Sequence, residues 1–327
     1  MAEPILGSGA YAPISEYELG DTADFHCGDI ETQRPDPLSS RVGLTFHAVS
    51  HPGNVRPTNE DAYLIYQSSR SWERLATNLP DTDLPARFDE RAYVLSVADG
   101  MGGAAAGDVA SSLALRTAVN LVLNSVKWSL KLNHPEKREQ EIRELIAKAL
   151  DRFRRISRTI KNVASQDRDL AGMGTTLTAI GIFGLDMFVF HVGDSRAYLF
   201  RQGVLERLTR DQTMVQALVE SGYITPEQAK THRLRHVLTG VMGGKAGQDT
   251  PEVQMLRLQH ADRFLLCTDG LTEMVEDSSI AEVLSRSESP AIACQSLLER
   301  ALQAGGNDNV TVVVADYSLP IDTAASH

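Results

Sequence analysis

The rhythm of apolar and polar positions divides the chain into segments of different character. Residues 1–40 mix Gly, Ser, Pro and acidic residues without sustained periodicity and close on Arg34-Pro35-Asp36-Pro37, which reads as a partly disordered N-terminal extension ending in a linker. Arg41 to Ser50 and Asp61 to Gln67 read as strands, and Ala92 to Ala98 is a mostly apolar run of strand length. Ser68 to Arg91 is polar, holds Pro80 and Pro85, and is expected to be an excursion outside the core. From Ala110 the period lengthens: Leu113, Ala114, Ala118, Leu121, Val122 and Val126 recur at helical spacing. After a break at Asn133-His134-Pro135, Ile142, Leu145, Ile146, Ala149, Phe153, Ile156 and Ile160 predict a second amphipathic helix. Its Arg152, Arg154, Arg155 and Arg158 fall on the other side and are expected to be solvated.

Beyond Gly174 the pattern shortens again. Thr175 to Phe183, Met187 to Val192 and Ala197 to Phe200 read as strands separated by close turns at Gly184-Leu185-Asp186, Gly193-Asp194-Ser195 and Gln202-Gly203, the spacing of an antiparallel sheet. Asp211 to Thr239 breaks this order with Gly222, Pro226 and the basic residues Lys230, Arg233 and Arg235, and predicts a small helical excursion over a sheet edge. Strand patterning returns at Val253 to Leu258 and Arg263 to Thr268, helices at Ser278 to Arg286 and Ala291 to Gln303, and a last strand at Val310 to Tyr317. Strand runs and helix pairs, rather than strict alternation, favour a layered α+β domain.

Composition narrows the class. At 42% hydrophobic and 23% charged, the chain suits an ordinary globular protein with a substantial core. The net charge of −11 argues against a nucleic-acid surface. Cys27, Cys267 and Cys294 are too few and scattered for a disulfide framework or a thiolate zinc site, and read as reduced thiols. No run reaches the length of a membrane span, and a cytoplasmic location is expected.

The chemistry is carried by acids at strand ends. Asp99 closes an apolar run and is followed by Gly100-Met101-Gly102-Gly103; Asp194, Asp269 and Asp308 occupy similar borders, and Glu60-Asp61 stand just before a strand. One Asp-Gly pair is turn chemistry. Several acids gathered at one end of packed sheets would repel one another unless cations held them. Oxygen ligands without clustered Cys or His suggest Mg²⁺ or Mn²⁺ rather than zinc. Arg56, in a loop shaped by Pro52, Gly53 and Pro57, is a natural guanidinium fork for a phosphate.

Arg56 through Asp61, Asp99 through Gly103, Gly174-Thr175-Thr176, Gly193 through Arg196, Asp269-Gly270-Leu271 and Asn307 through Thr311 occur in an order that resembles the metal-dependent protein serine/threonine phosphatases of the PPM, or PP2C-like, family. The resemblance runs from about Val42 to Tyr317. It implies a phosphatase domain over 41–318 with a tail at 319–327, and a four-layer αββα sandwich whose two central antiparallel sheets are flanked by helix pairs. The segment at about 211–240 would be its flap. It further implies that Asp99 bridges two metal ions and that the Gly100 carbonyl binds the second. Asp269 and Asp308 would complete the first site, and Glu60 would serve the second, with Asp61 holding metal-bound water. Asp194 would join Asp269 at a third, weaker ion. Arg56 would bind the substrate phosphate, and a metal-bridging hydroxide would attack phosphorus directly.

Two positions depart from the family pattern: His51 stands where bacterial relatives often carry an acid, and Ala104 where many have a histidine proposed as general acid. The stretch Val237 to Gly244 follows the family only loosely. His191 is expected to be a satisfied strand histidine, and His232 and His236 exposed loop residues. The implied partners are phosphorylated proteins, kinase targets or a kinase itself, acted on by a monomer without nucleic acid or membrane. A small-molecule phosphoesterase and a non-catalytic regulatory module are the alternatives.

Overall fold

The structure, a computed structural model, describes residues 38–79, 86–102, 106–124, 135–244 and 249–319. The described residues of its main unit are 38–73, 87–102, 106–124, 135–244 and 249–319. In a second unit the described residues are 74–79 and 86, closed by a hydrogen bond from the Arg74 N–H to the Ala86 carbonyl at 3.0 Å. Most of the expected N-terminal extension, the loop around Pro80 and Pro85, Ala104 and the 320–327 part of the tail lie outside the described residues. The last residues of that extension begin a one-turn helix, α1 (Leu38–Arg41).

Two antiparallel sheets form the centre of the main unit. The first runs in the order β1 (Gly43–His51), β11 (Val310–Ser318), β10 (Arg263–Cys267), β7 (Arg196–Arg201), β8 (Val204–Arg207). The second runs β2 (Asp61–Glu73), β3 (Arg87–Met101), β5 (Leu177–Phe183), β6 (Asp186–Val192), β9 (Glu252–Arg257), with β4 (Gly174–Thr175) paired to the end of β3. Leu95, Val97, Ile180, Met187 and Val189 from one sheet meet Leu199, Phe264, Leu266, Val313 and Tyr317 from the other, so alternate residues of both sheets make the inner core. The remaining alternation faces outward. Helices α2 (Ala106–Leu123) and α3 (Pro135–Gln166) cover the second sheet through Ala110, Ala114, Phe153, Ile156 and Ile160 against Phe188 and Phe190. Helices α7 (Asp277–Arg286) and α8 (Pro290–Gln303) cover the first through Ile280, Leu284, Leu297 and Ala301 against Leu265, Val312 and Val314. The result is the expected αββα layering. Among the described residues no helix is long and apolar enough to cross a membrane.

The region read as an excursion is smaller than expected. β2 continues to Glu73 and β3 begins at Arg87, paired in unbroken register from Asp61↔Asp99 to Glu73↔Arg87. Ser68, Arg70 and Glu90 lack the apolar alternation that marks a strand, but the ladder alone satisfies their backbone groups. The short edge strand β8, also absent from the sequence reading, pairs with β7 across the Gln202-Gly203 turn. The strand expected from Thr175 is interrupted at Thr176. On α3, Arg154, Arg155 and Arg158 are exposed as expected, whereas Arg152 is half-buried and interacts with Tyr66.

Candidate functional site

Every acid singled out in the sequence lies at one end of the sandwich, because the strands that carry them enter or leave their sheets there. Asp61 opens β2 directly opposite Asp99 near the end of β3, a like-charge cross-strand pair that is unfavourable by itself. Asp194 sits between β6 and β7, Asp269 follows β10, and Asp308 precedes β11. Asp99, Asp194 and Asp269 each offer a carboxylate oxygen within 4.8 Å of one another.

Hydroxyl and amide side chains hold this arrangement. The Asp99 N–H donates to Thr176 Oγ1 at 2.9 Å, and the Thr175 hydroxyl donates to the Asp99 carbonyl at 2.8 Å. The Thr268 hydroxyl donates to Asp61 Oδ2 at 2.8 Å and accepts the Thr311 N–H at 3.0 Å, tying two sheets to one carboxylate. Asp61 Oδ1 is buried and has no hydrogen-bond partner among the described residues. Asn309 fixes the loop that carries Arg56 and Glu60: its amide oxygen accepts the Glu60 N–H at 2.8 Å, and its amide nitrogen donates to the carbonyls of Pro52 at 3.0 Å and Thr58 at 2.8 Å. In the same loop the His51 ring accepts the Gly53 N–H at 3.0 Å, so the histidine found in place of an acid serves the turn.

Glycine is required where the backbone approaches the acids. A Cβ on Gly100 would stand 1.9 Å from the Gly107 carbonyl oxygen, and one on Gly107 would stand 2.5 Å from Glu60 Oε2 and 2.8 Å from the Gly100 carbonyl oxygen. Bare backbone at both positions therefore leaves that carbonyl and the Glu60 carboxylate side by side.

The electrostatics follow from this crowding. Burial, followed by repulsion from Asp61, Asp269 and Asp194, pushes Asp99 well above the usual carboxylate range. Burial and then Asp194 and Glu273 do the same to Asp269. Asp61 is pushed up to about 7 by burial, against the opposing influence of the Thr311 and Thr268 hydroxyls, and Asp194 to about 7 by burial and Asp211. Glu60 is raised mainly by burial. Arg56 Nη2 donates to Asp308 Oδ2 at 2.7 Å, which holds the guanidinium firmly protonated beside the cluster. An orphaned buried carboxylate oxygen, like charges in register and a backbone carbonyl beside the Glu60 carboxylate make an all-oxygen donor set that fits hard divalent cations.

The segment expected to be a flap brings a histidine to the edge of the acids. Helices α4 (Met214–Glu220) and α5 (Pro226–Lys230) rise from a base closed by the Thr213↔Leu238 bridge and by hydrogen bonds between Gln212 and Gly193. The returning chain brings His236 Nδ1 to 3.1 Å from Glu273 Oε1, and His236, Asp269 and Glu273 offer ligand atoms within 4.8 Å of one another. Glu273, just after the short helix α6 (Asp269–Thr272), was not singled out. Nothing in their spacing joins them; the fold does. His191, by contrast, is the satisfied strand histidine expected, buried with Thr178 Oγ1 at 2.8 Å and the Arg210 carbonyl at 3.0 Å, and burial lowers its pKa.

Comparison with known proteins bears on this geometry. Residues 73–304 match the family model described as protein phosphatase 2C. The chain is 37% identical over 273 residues to the serine/threonine protein phosphatase PstP of Mycobacterium tuberculosis, covering 84% of this chain and 45% of that protein. It thus spans about half the length of that relative. It is 35% identical over 228 residues to the serine/threonine phosphatase stp of Listeria monocytogenes, covering 69% of this chain and 85% of that one. Among solved structures, the catalytic domain of PstP in complex with two manganese ions matches with a TM-score of 0.64 at 36% identity, covering 85% of this chain and 99% of that one.

Proposed function

The chain belongs to the protein phosphatase 2C family, and from that premise we propose that it is a Mn²⁺- or Mg²⁺-dependent protein serine/threonine phosphatase that hydrolyses phosphoserine and phosphothreonine in proteins. The observation that carries this reading is the convergence of Asp99, Asp194 and Asp269 within 4.8 Å, next to Asp61 with its orphaned oxygen. The two manganese ions named for the PstP catalytic domain support it.

In this reading Asp99, the Gly100 carbonyl, Glu60, Asp269 and Asp308 would hold two ions, with Asp61 holding metal-bound water, and Asp194 with Asp269 would hold a third, weaker one. When bound, such ions neutralise the carboxylates and lower the pKa of water to near neutrality, which provides a nucleophile for phosphorus. The chain's own part is positional. Asn309 sets the Arg56 loop, Thr268 aims Asp61, and Thr175 and Thr176 hold the Asp99 backbone. Arg56, exposed and paired to Asp308 at a single nitrogen, keeps further guanidinium donors for phosphoryl oxygens.

The partners we infer are phosphorylated proteins, kinase targets or a kinase itself, met by a cytoplasmic monomer. The buried free thiols of Cys267 and Cys294 suit a reducing compartment, and the net charge of −11 speaks against nucleic acid. Steady-state hydrolysis of a phosphothreonine peptide tests the reading. Turnover that requires Mn²⁺ and collapses with chelator and in Asp269→Ala is expected. Hydrolysis of small phosphoesters without the peptide would shift the reading to a metabolite phosphoesterase, and activity on neither to a regulatory module.

A further inference from the structure

In a chain of net charge −11, residues 230–236 hold Lys230, His232, Arg233, Arg235 and His236 and no acid. This stretch is built as a pinned turn. The Arg235 N–H donates to the His232 carbonyl at 3.1 Å, the Val237 N–H to the Leu234 carbonyl at 3.0 Å, and the Leu234 N–H to His232 Nδ1 at 3.2 Å. Leu234 and His232 turn partly inward, which leaves Arg233 and Arg235 exposed.

Both ends of the turn are tied to acids that follow Asp269. Lys230 Nζ lies 3.2 Å from Glu276 Oε1, and His236 Nδ1 lies 3.1 Å from Glu273 Oε1. Those two ends are matched by acids; Arg233 and Arg235 have no acidic partner among the described residues. Of the other exposed arginines, Arg210 pairs with Glu220 and Glu252 and Arg155 with Asp151. Arg235 is moreover the covalent neighbour of His236, whose ring reaches within 4.8 Å of the Asp269 carboxylate.

We propose that Arg233 and Arg235 receive acidic side chains flanking the phosphoresidue, so that the enzyme favours protein segments with Asp or Glu beside their phosphothreonine or phosphoserine. The inference rests on the phosphatase reading above. Guanidinium forks match carboxylates in geometry, and the hydrogen-bonded turn fixes the backbone that carries them. An extended peptide advances about 3.3–3.6 Å per residue, so an acid two to four residues from the phosphoresidue reaches the turn. The remaining acidic surface repels such a segment, and screening over about 8 Å at physiological salt keeps the selection local.

The test compares kcat/KM for one phosphothreonine peptide carrying Asp, Ala or Lys at the flanking positions. Wild type, Arg233→Ala/Arg235→Ala and Arg233→Glu/Arg235→Glu are measured, each normalised to its own hydrolysis of p-nitrophenyl phosphate. Wild type is expected to favour the Asp peptide over the Ala peptide by about fivefold through KM, the size of two solvent-exposed ion pairs. The alanine variant should lose that preference, the glutamate variant should favour the Lys peptide, and added salt should flatten all three. A wild-type preference for Ala or Lys, or an Asp preference intact in the double variant, overturns the proposal. Turnover of p-nitrophenyl phosphate with no peptide hydrolysed would instead overturn the protein-phosphatase reading, and this inference with it.

Discussion

The two ends of the sandwich treat the same residue type in opposite ways. At the end away from the site, Asp186, 2% exposed, receives two nitrogens of Arg138 at 2.7 and 2.8 Å and one of Arg257 at 3.0 Å. Asp262, 1% exposed, is gripped by Arg201 through two bonds of 2.7 Å, and Asp316 by Arg263 at 2.5 and 2.8 Å. At the other end Asp61, Asp99, Asp194 and Asp269 crowd together, and among the described residues no arginine pairs with any of them. Structural acids find their cations within the chain. The clustered acids are arranged so that cations must come from outside, and their raised pKa values are the mark of that.

Substitutions at the two ends should therefore separate activity from stability. The largest effect expected is on turnover: Asp99→Ala should lower kcat/KM on the order of 10²- to 10³-fold, by analogy with the loss of one charge-stabilising group, while the chelated variant melts no lower than chelated wild type. Asn309→Ala, one step removed, should weaken Mn²⁺ affinity and activity about 10- to 100-fold, as loss of supporting hydrogen bonds does. Arg56→Lys keeps the charge but loses the fork, and should raise KM about tenfold for the loss of one charge-assisted hydrogen bond. At the opposite end, Asp262→Ala should leave activity per folded molecule unchanged and cost about 3 kcal/mol of stability, because Arg201 loses its buried partner. Equal effects of Asp99→Ala and Asp262→Ala on both readouts would erase the distinction.

The same contrast has a pH signature. Asp61 and Asp194 titrate near 7 in the fold, against about 3.9 in an unfolded chain. A raised folded-state value means stability that is fully present below about pH 4 and is lost as pH rises through 7. Melting of the chelator-treated protein should fall across that window, and saturating Mn²⁺ should flatten the slope. A melting temperature of the chelated protein that rises from pH 5 to 8 would contradict the assignment.

Much of this end of the molecule could be read from the chain, because an acid at the border of an apolar run is a local pattern. Asp99, Asp194, Asp269 and Asp308 were visible that way, as were the strands that carry them. What supports them was not. Thr268 looks like an ordinary residue at the end of an apolar run, and only the fold turns its hydroxyl toward Asp61. The ribbon from Ser68 to Glu73 with Arg87 to Arg91 has no apolar alternation, since its order comes from its partner strand rather than from burial. His236 and Glu273 belong to segments that only the fold brings together, beside Asp269.

The central claim is that the clustered acids await divalent cations, and a calorimetric titration of chelator-treated protein with Mn²⁺ tests it most directly. Saturable binding of at least two ions per chain in the wild type, with sites lost in Asp99→Asn and retained in Asp262→Asn, is the predicted result. No saturable binding in the wild type, or the same stoichiometry and affinity in Asp99→Asn, would contradict it.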